Sequence, residues 1–226
     1  MSQQGSTDRI LVLTYNRNNY GIVADYVKAK ERTASDCRND PLFKQIPVLS
    51  ARRKLKQIKA LPTGKLDGAD KQYEDAIAQL LPSILYPHLD FADTQTRSIG
   101  GSTIRDLVFY NNRSVDFLEE ILDDYHSRQL VMELKNVDSI DRENINQLNR
   151  YLTAEFGACS VLVTRNPLPK AMFRNTIELW SGQRRAIVAL VDSDLELMVE
   201  VFDSKQRAPI EVLKKKYIEF RRACPS

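Results

Sequence analysis

Ile104-Arg105-Asp106-Leu107-Val108-Phe109 and, further on, Gln129-Leu130-Val131-Met132-Glu133-Leu134-Lys135-Asn136 are two short apolar runs with charges set inside them. Each has the composition of a strand. Side chains alternate along a strand, so Glu133 and Lys135 share one face, with Met132 and Leu134 on the other. Asp106 likewise shares a face with Ile104 and Val108, not with Leu107 and Phe109. Charges inside a core-like strand are costly unless they are paired or hold an ion. If the two strands are neighbours, Asp106, Glu133 and Lys135 converge. Two carboxylates and a lysine make a hard-cation site beside a positive charge, which is the equipment of metal-assisted phosphodiester hydrolysis.

The flanking segments supply a scaffold. Asp67-Gly68-Ala69-Asp70 offers acidic caps for a helix carrying Tyr73, Ile77, Leu80, Leu81 and Leu85, which ends at Tyr86-Pro87. Leu89 to Arg97 reads as a strand, and Gly100-Gly101 as the turn into the Asp106 strand. Ser114 is positioned to cap a helix from Val115 to Tyr125. That helix has an apolar stripe of Phe117, Leu118, Ile121 and Leu122 and an acidic face of Glu119, Glu120, Asp123 and Asp124. Asp141 is placed to cap the helix that holds Gln147. A strand from Cys159 to Thr164, a helix from Ala171 to Trp180 and a strand from Ala186 to Val191 follow. Then come a helix capped by Ser193 and a last helix from Ile210 to Arg222.

The N-terminal part reads differently. Arg9 to Tyr15 has the β-branched composition of a strand, Asn16-Arg17-Asn18-Asn19 is a turn signal, and Tyr20 to Arg32 has helical spacing. Ser50 to Ala60 is basic, with Arg52, Arg53, Lys54, Lys56 and Lys59, and Leu61-Pro62-Thr63-Gly64 breaks it. The expected division is an N-terminal extension over residues 1–62 and a main domain over 63–226. The basic run is a candidate grip on nucleic-acid phosphates, although a solvated helix face is the slightly better account of it.

Composition narrows the function classes. A chain of 226 residues with 42% hydrophobic content is long enough for one good core. A net charge of +3 is compatible with a nucleic-acid partner without pointing to one. Cys37, Cys159 and Cys224 are far apart and form no CxxC pair, so neither a zinc site nor a disulfide framework is expected. The two histidines, His88 and His126, argue against a histidine-rich metal centre. The sequence shows no run long enough to cross a membrane and no signal-peptide core, so the expected location is the cytoplasm.

At Asp106 and Glu133-Leu134-Lys135 the chain resembles the PD-(D/E)xK superfamily, the restriction-endonuclease-like nucleases. The resemblance spans about residues 70 to 165, in the order helix, three antiparallel strands, helix, strand. It implies an α/β fold with a central mixed sheet flanked by helices. It also implies a magnesium cofactor, with manganese as substitute, held by Asp106, Glu133 and Glu74. Lys135 would act on the attacking water, and Gln147 on the following helix would orient Lys135 or a DNA phosphate. Two departures stand out: Arg105 occupies the place of the family's proline, and the helix from Ser114 to His126 replaces a hairpin. Asp90 and Asp93 compete with Asp106 as the upstream acid, but they flank Phe91 near a strand start, where acids are ordinary.

The function expected from this resemblance is a divalent-metal-dependent endonuclease acting on DNA, in restriction and antiviral defence or in DNA repair. RNA remains open as a substrate, because such a metal site reads the phosphate and not the sugar. A homodimer or a larger defence or repair complex is the expected assembly. The competing reading is a non-catalytic nucleic-acid-binding or assembly module that keeps the nuclease fold. An ExK triplet by itself ordinarily marks a solvated strand or a salt bridge.

Overall fold

The computed structural model describes residues 48–97 and 104–225, together with residues 11, 14, 15, 18, 19, 21, 22, 25 and 26. The chain divides into two compact units, 1–38 and 39–226. In the first, Leu11, Thr14 and Tyr15 are helical, which corrects the strand expected over residues 9–15. A short apolar run fits either state, and the four-residue spacing of Leu11 and Tyr15 is helical. Among the described residues the sheet draws no strand from this segment. Gly100-Gly101 lies outside the described residues.

Among the described residues the second unit begins with α1 (Val48–Ala60) and, after a 3-10 turn at Leu66–Gly68, α2 (Ala69–Leu85). Next come β1 (Leu89–Arg97), β2 (Ile104–Asn111), α3 (Asp116–Tyr125), β3 (Gln129–Lys135), α4 (Arg142–Tyr151) and β4 (Cys159–Thr164). Helix α5 (Lys170–Gln183), β5 (Ala186–Val191), α6 (Asp192–Ser204) and α7 (Ile210–Ala223) complete it. The five described strands form one mixed sheet in the order β1-β2-β3-β4-β5. Strands β1, β2 and β3 pair antiparallel, and β3, β4 and β5 pair parallel. The order helix, antiparallel meander, helix, parallel strand is the one read from the sequence.

Burial follows the strand alternation. On one face, Leu107, Phe109, Met132, Leu134, Val161 and Val163 join the large core with residues of α1, α2, α3, α6 and α7. On the other, Val108, Val131, Leu162 and Ile187 pack beneath Ile145, Leu148 and Tyr151 of α4. Helix α4 starts where expected: the Asn144 N–H donates to Asp141 Oδ1 at 2.9 Å, and the Asp141 N–H to Asn144 Oδ1 at 3.1 Å. Two other expected caps differ. Val191 opens α6, its N–H donating to Asp194 Oδ2 at 2.9 Å, so Ser193 stands in the first turn. Val115, not Ser114, precedes α3; the Ser114 hydroxyl instead meets His88 Nδ1 at 2.7 Å.

The compact units divide at residue 38, earlier than the expected junction at residue 62. The reason is packing: α1 buries Ala51 and Ile58 fully in the core against α2 and α6. The basic run therefore belongs to the same unit as the sheet.

A buried hub locks this arrangement. Arg165, which follows β4, donates from Nε to Asn136 Oδ1 at 2.7 Å and from Nη1 to the Ile58 carbonyl at 2.8 Å. Nη1 also meets Asp192 Oδ2 at 3.0 Å, and Nη2 donates to the Leu61 carbonyl at 2.8 Å. The guanidinium lies 4.3 Å from the centroid of the Tyr73 ring, whose hydroxyl donates to Asp192 Oδ1 at 3.0 Å. Burial, reinforced by the negative charge of Asp192, pushes the Tyr73 hydroxyl far above its ordinary pKa, so it stays a donor. Asn136 Nδ2 donates in turn to the carbonyls of Pro62 and Gly64, at 3.0 and 2.8 Å. Elsewhere, Gly157 is required by close approach. It has φ +85°, and a Cβ there would come within 2.7 Å of the Ser127 backbone.

Candidate active site

The site is built on the α4 face of the sheet. Glu133 is 1% exposed, a buried carboxylate in the centre of β3. Lys135, two residues on and on the same face, places Nζ 2.5 Å from Glu133 Oε1, and its side chain is 19% exposed. Gln147 comes down from α4. Its Nε2 donates to Glu133 Oε1 at 2.8 Å and to the Tyr151 hydroxyl at 2.8 Å. Gln147 and Tyr151 are four residues apart and so lie on one side of the helix. Ile145 and Leu148 anchor that helix on Val131 and Leu162, which fixes the height of Gln147 above the strand. One oxygen of Glu133 is thereby held by a cation and an amide together, a charge-assisted arrangement that sets the carboxylate plane.

Asp106 enters through register. Leu107 pairs with Met132 across the antiparallel β2–β3 ladder. One further step along the same register brings Asp106 opposite Glu133; the Asp106 side chain lies outside the described set. Of the competing acids, Asp90 pairs with Tyr110, while Asp93 pairs with Val108 on the outer strand and is exposed.

Glu74 is half-buried on α2, whose apolar residues pack on the opposite face of the sheet. Its neighbour Tyr73 bonds Asp192 and lies against Arg165, at the C-terminal ends of β4 and β5. Lys135 is in register with Thr164, and Thr164 with Val191, at that same end. Glu74 therefore stands at the sheet end that carries Lys135.

The basic run is placed otherwise. Arg52 and Lys59 reach across to α6 and pair with Asp203 and Glu196. Lys54 Nζ meets Gln57 Oε1 at 3.5 Å, and Arg53 and Lys56 are exposed. Helix α1 packs in the layer behind the sheet, away from the face that carries Glu133. The structure does not bring Arg52, Arg53, Lys54 and Lys56 together with the Glu133 cluster.

Two groups escaped the sequence reading. Tyr151 was visible only as the residue four after Gln147. Arg165 and Asn136 had a weaker signal, polar side chains at the ends of otherwise apolar strands.

Glu133 is one buried carboxylate, an oxygen donor of the type a hard divalent cation takes. Among the described residues no group of three or more His, Cys, Asp or Glu side chains is gathered for a metal ion. No helix there is long and apolar enough to cross a membrane.

No protein-family model matches the chain. Over 62 residues it is 32% identical to a protein of Escherichia coli (strain K12) described as "Putative transposon gamma-delta 80.3 kDa protein". The matched stretch covers 27% of this chain and 9% of that protein, so the chain spans only a small fraction of the length of the relative it matches.

Proposed function

We propose that the chain is a divalent-metal-dependent endonuclease that hydrolyses DNA phosphodiester bonds on a restriction-endonuclease-like core. One observation carries the reading: a strand carboxylate, Glu133, buried and held by Lys135 and Gln147, with Asp106 next in the chain to Leu107, which pairs with Met132. A purely structural ion pair gains little from such burial, because desolvation offsets most of its attraction. Asp106 and Glu133 would hold a magnesium or manganese ion, with Glu74 at the same end of the sheet. When bound, such an ion lowers the pKa of a coordinated water and neutralises phosphate oxygens.

The chain's own residues do the rest. Lys135 orients the attacking water and places a positive charge beside the developing negative charge on phosphorus-bound oxygen. Gln147, itself held by Tyr151, keeps the Glu133 carboxylate in one orientation. Restriction or antiviral defence and DNA repair are the biological settings proposed, with a homodimer or larger complex as the working assembly.

The experiment is a cleavage assay on plasmid, linear duplex, single-stranded DNA and RNA, in magnesium, manganese or EDTA. Glu133→Ala and Lys135→Ala proteins run alongside. Cutting that needs metal and disappears in both variants supports the reading; variants that cut like the wild type refute it. The second reading, a binding or assembly module, is favoured by one feature. The Lys135–Glu133 pair satisfies both charges within the chain. Salt-dependent DNA binding with no turnover under any metal would select it.

A further inference from the structure

Trp180 is the single tryptophan of the chain and is 5% exposed. Its Nε1 donates to the Tyr125 hydroxyl at 3.1 Å. Two guanidinium groups stand against its ring, with Arg184 Cζ 4.3 Å and Arg221 Cζ 4.5 Å from the centroid. Like charges drawn to one ring repel each other, yet among the described residues neither arginine forms a salt bridge. The nearby Glu120 is engaged elsewhere, accepting from the Tyr217 hydroxyl at 2.9 Å. Their chain neighbours Arg185 and Arg222 are placed otherwise: Arg185 donates to Asn149, and Arg222 is exposed.

Helix ends explain part of this. Arg184 caps α5 and Arg221 lies in the last turn of α7, and each C-terminus carries about half a negative charge. Two full positive charges exceed that. Arg184 also holds φ +54°, a left-handed conformation in which glycine is the usual residue at a helix end. The Cys224 thiol reports the convergence: burial pushes its pKa up while Arg221 and Arg184 both pull it down. Both guanidinium groups stand within 4.5 Å of the one centroid, so two positive charges are concentrated around a single side chain.

We propose that Arg184 and Arg221, braced on Trp180, form a binding site for a phosphate group. Guanidinium forks match phosphate oxygens in bidentate fashion, and stacking on the indole pre-orients them. The site lies at the start of β5, while Lys135 is in register with the far ends of β4 and β5. Six strand residues, about 20 Å, separate the two ends, so this phosphate is not the one proposed for hydrolysis. The inference does not depend on the nuclease reading. A free phosphate and a nucleic-acid phosphodiester share the chemistry.

Because Trp180 is the chain's single tryptophan, its fluorescence reads this site directly. Full-length protein is titrated with sodium phosphate against sodium chloride at equal ionic strength, and separately with a short DNA duplex. The expected result is a saturable change in emission with at least one probe. A response to inorganic phosphate identifies a free-anion site, and a response to the duplex alone identifies a backbone contact. Arg184→Gln and Arg221→Gln should each weaken the response about tenfold or more. Arg184→Lys keeps the charge at the helix end without the fork, and should fold like the wild type by circular dichroism yet bind more weakly. Emission that ignores both probes, or an Arg184→Lys protein that responds at wild-type concentrations, overturns the proposal.

Discussion

The side-chain amide of Gln147 on α4 bonds the carboxylate of Glu133 on β3, Nε2 to Oε1, at 2.8 Å. Helix and strand are thus tied at Glu133, a buried acid of the candidate site. Groups that orient a metal-binding carboxylate typically contribute 10- to 100-fold to affinity or activity. If the proposed nuclease reading holds, Gln147→Leu should reduce magnesium-dependent cleavage by about 10- to 100-fold, with most of the loss seen as a higher magnesium requirement. A rate measured across magnesium concentrations checks this; an unchanged requirement would place Gln147 outside the site.

The pair of Glu133 and Lys135 makes a separate prediction about stability. Removing the lysine leaves a carboxylate that is 1% exposed without its counter-charge. Lys135→Met should cost about 2–4 kcal/mol, toward the lower end because the lysine itself is partly solvated. Adding Glu133→Gln removes the stranded charge and keeps an acceptor for Gln147, so the double variant should recover much of the loss. Urea unfolding of the four proteins of this cycle measures the coupling directly.

Arg165 is expected to be the costliest single truncation in the unit. Arg165→Ala orphans the Ile58 and Leu61 carbonyls, the Asn136 amide oxygen and one oxygen of Asp192 at once. A loss of about 4 kcal/mol or more follows. Arg165→Lys should restore little, because an ammonium cannot reproduce a planar fork aimed at several acceptors. Denaturation midpoints of both variants provide the comparison.

Gly157→Ala should destabilise by about 2–4 kcal/mol, through both a left-handed backbone and a clash. The added carbon would meet Ser127 Oγ, Cα and N at 2.2, 2.5 and 2.7 Å. Two of those are backbone atoms, so trimming the serine to glycine in the same protein should not rescue it. Thermal melts of the single and double variants decide the point.

The strands and helices around the site were legible because their signals are local. A short apolar run marked Gln129–Lys135, and an acid three residues before Asn144 marked the start of α4. The pairing of β2 with β3 could be stated only as a condition, since it joins strands across an inserted helix. Arg165 stayed hidden because two of its partners are backbone carbonyls, which carry no sequence signature. The lysines and arginines of α1 were plain to see, but their pairing with α6 depends on a contact more than a hundred residues away. At residues 9–15 the apolar run was too short for its period to separate strand from helix.

The hub at Arg165 also orders events during synthesis. Its acceptors at Ile58 and Leu61 lie 107 and 104 residues before it, and its acidic partner lies 27 residues after. As the chain leaves the ribosome from its N-terminus, α1 can meet α2 early, but its contacts with Arg165 and α6 must wait until β4 and then Asp192 have emerged. The first described helix of this unit is thus seated in two stages, and the second needs more than a hundred further residues.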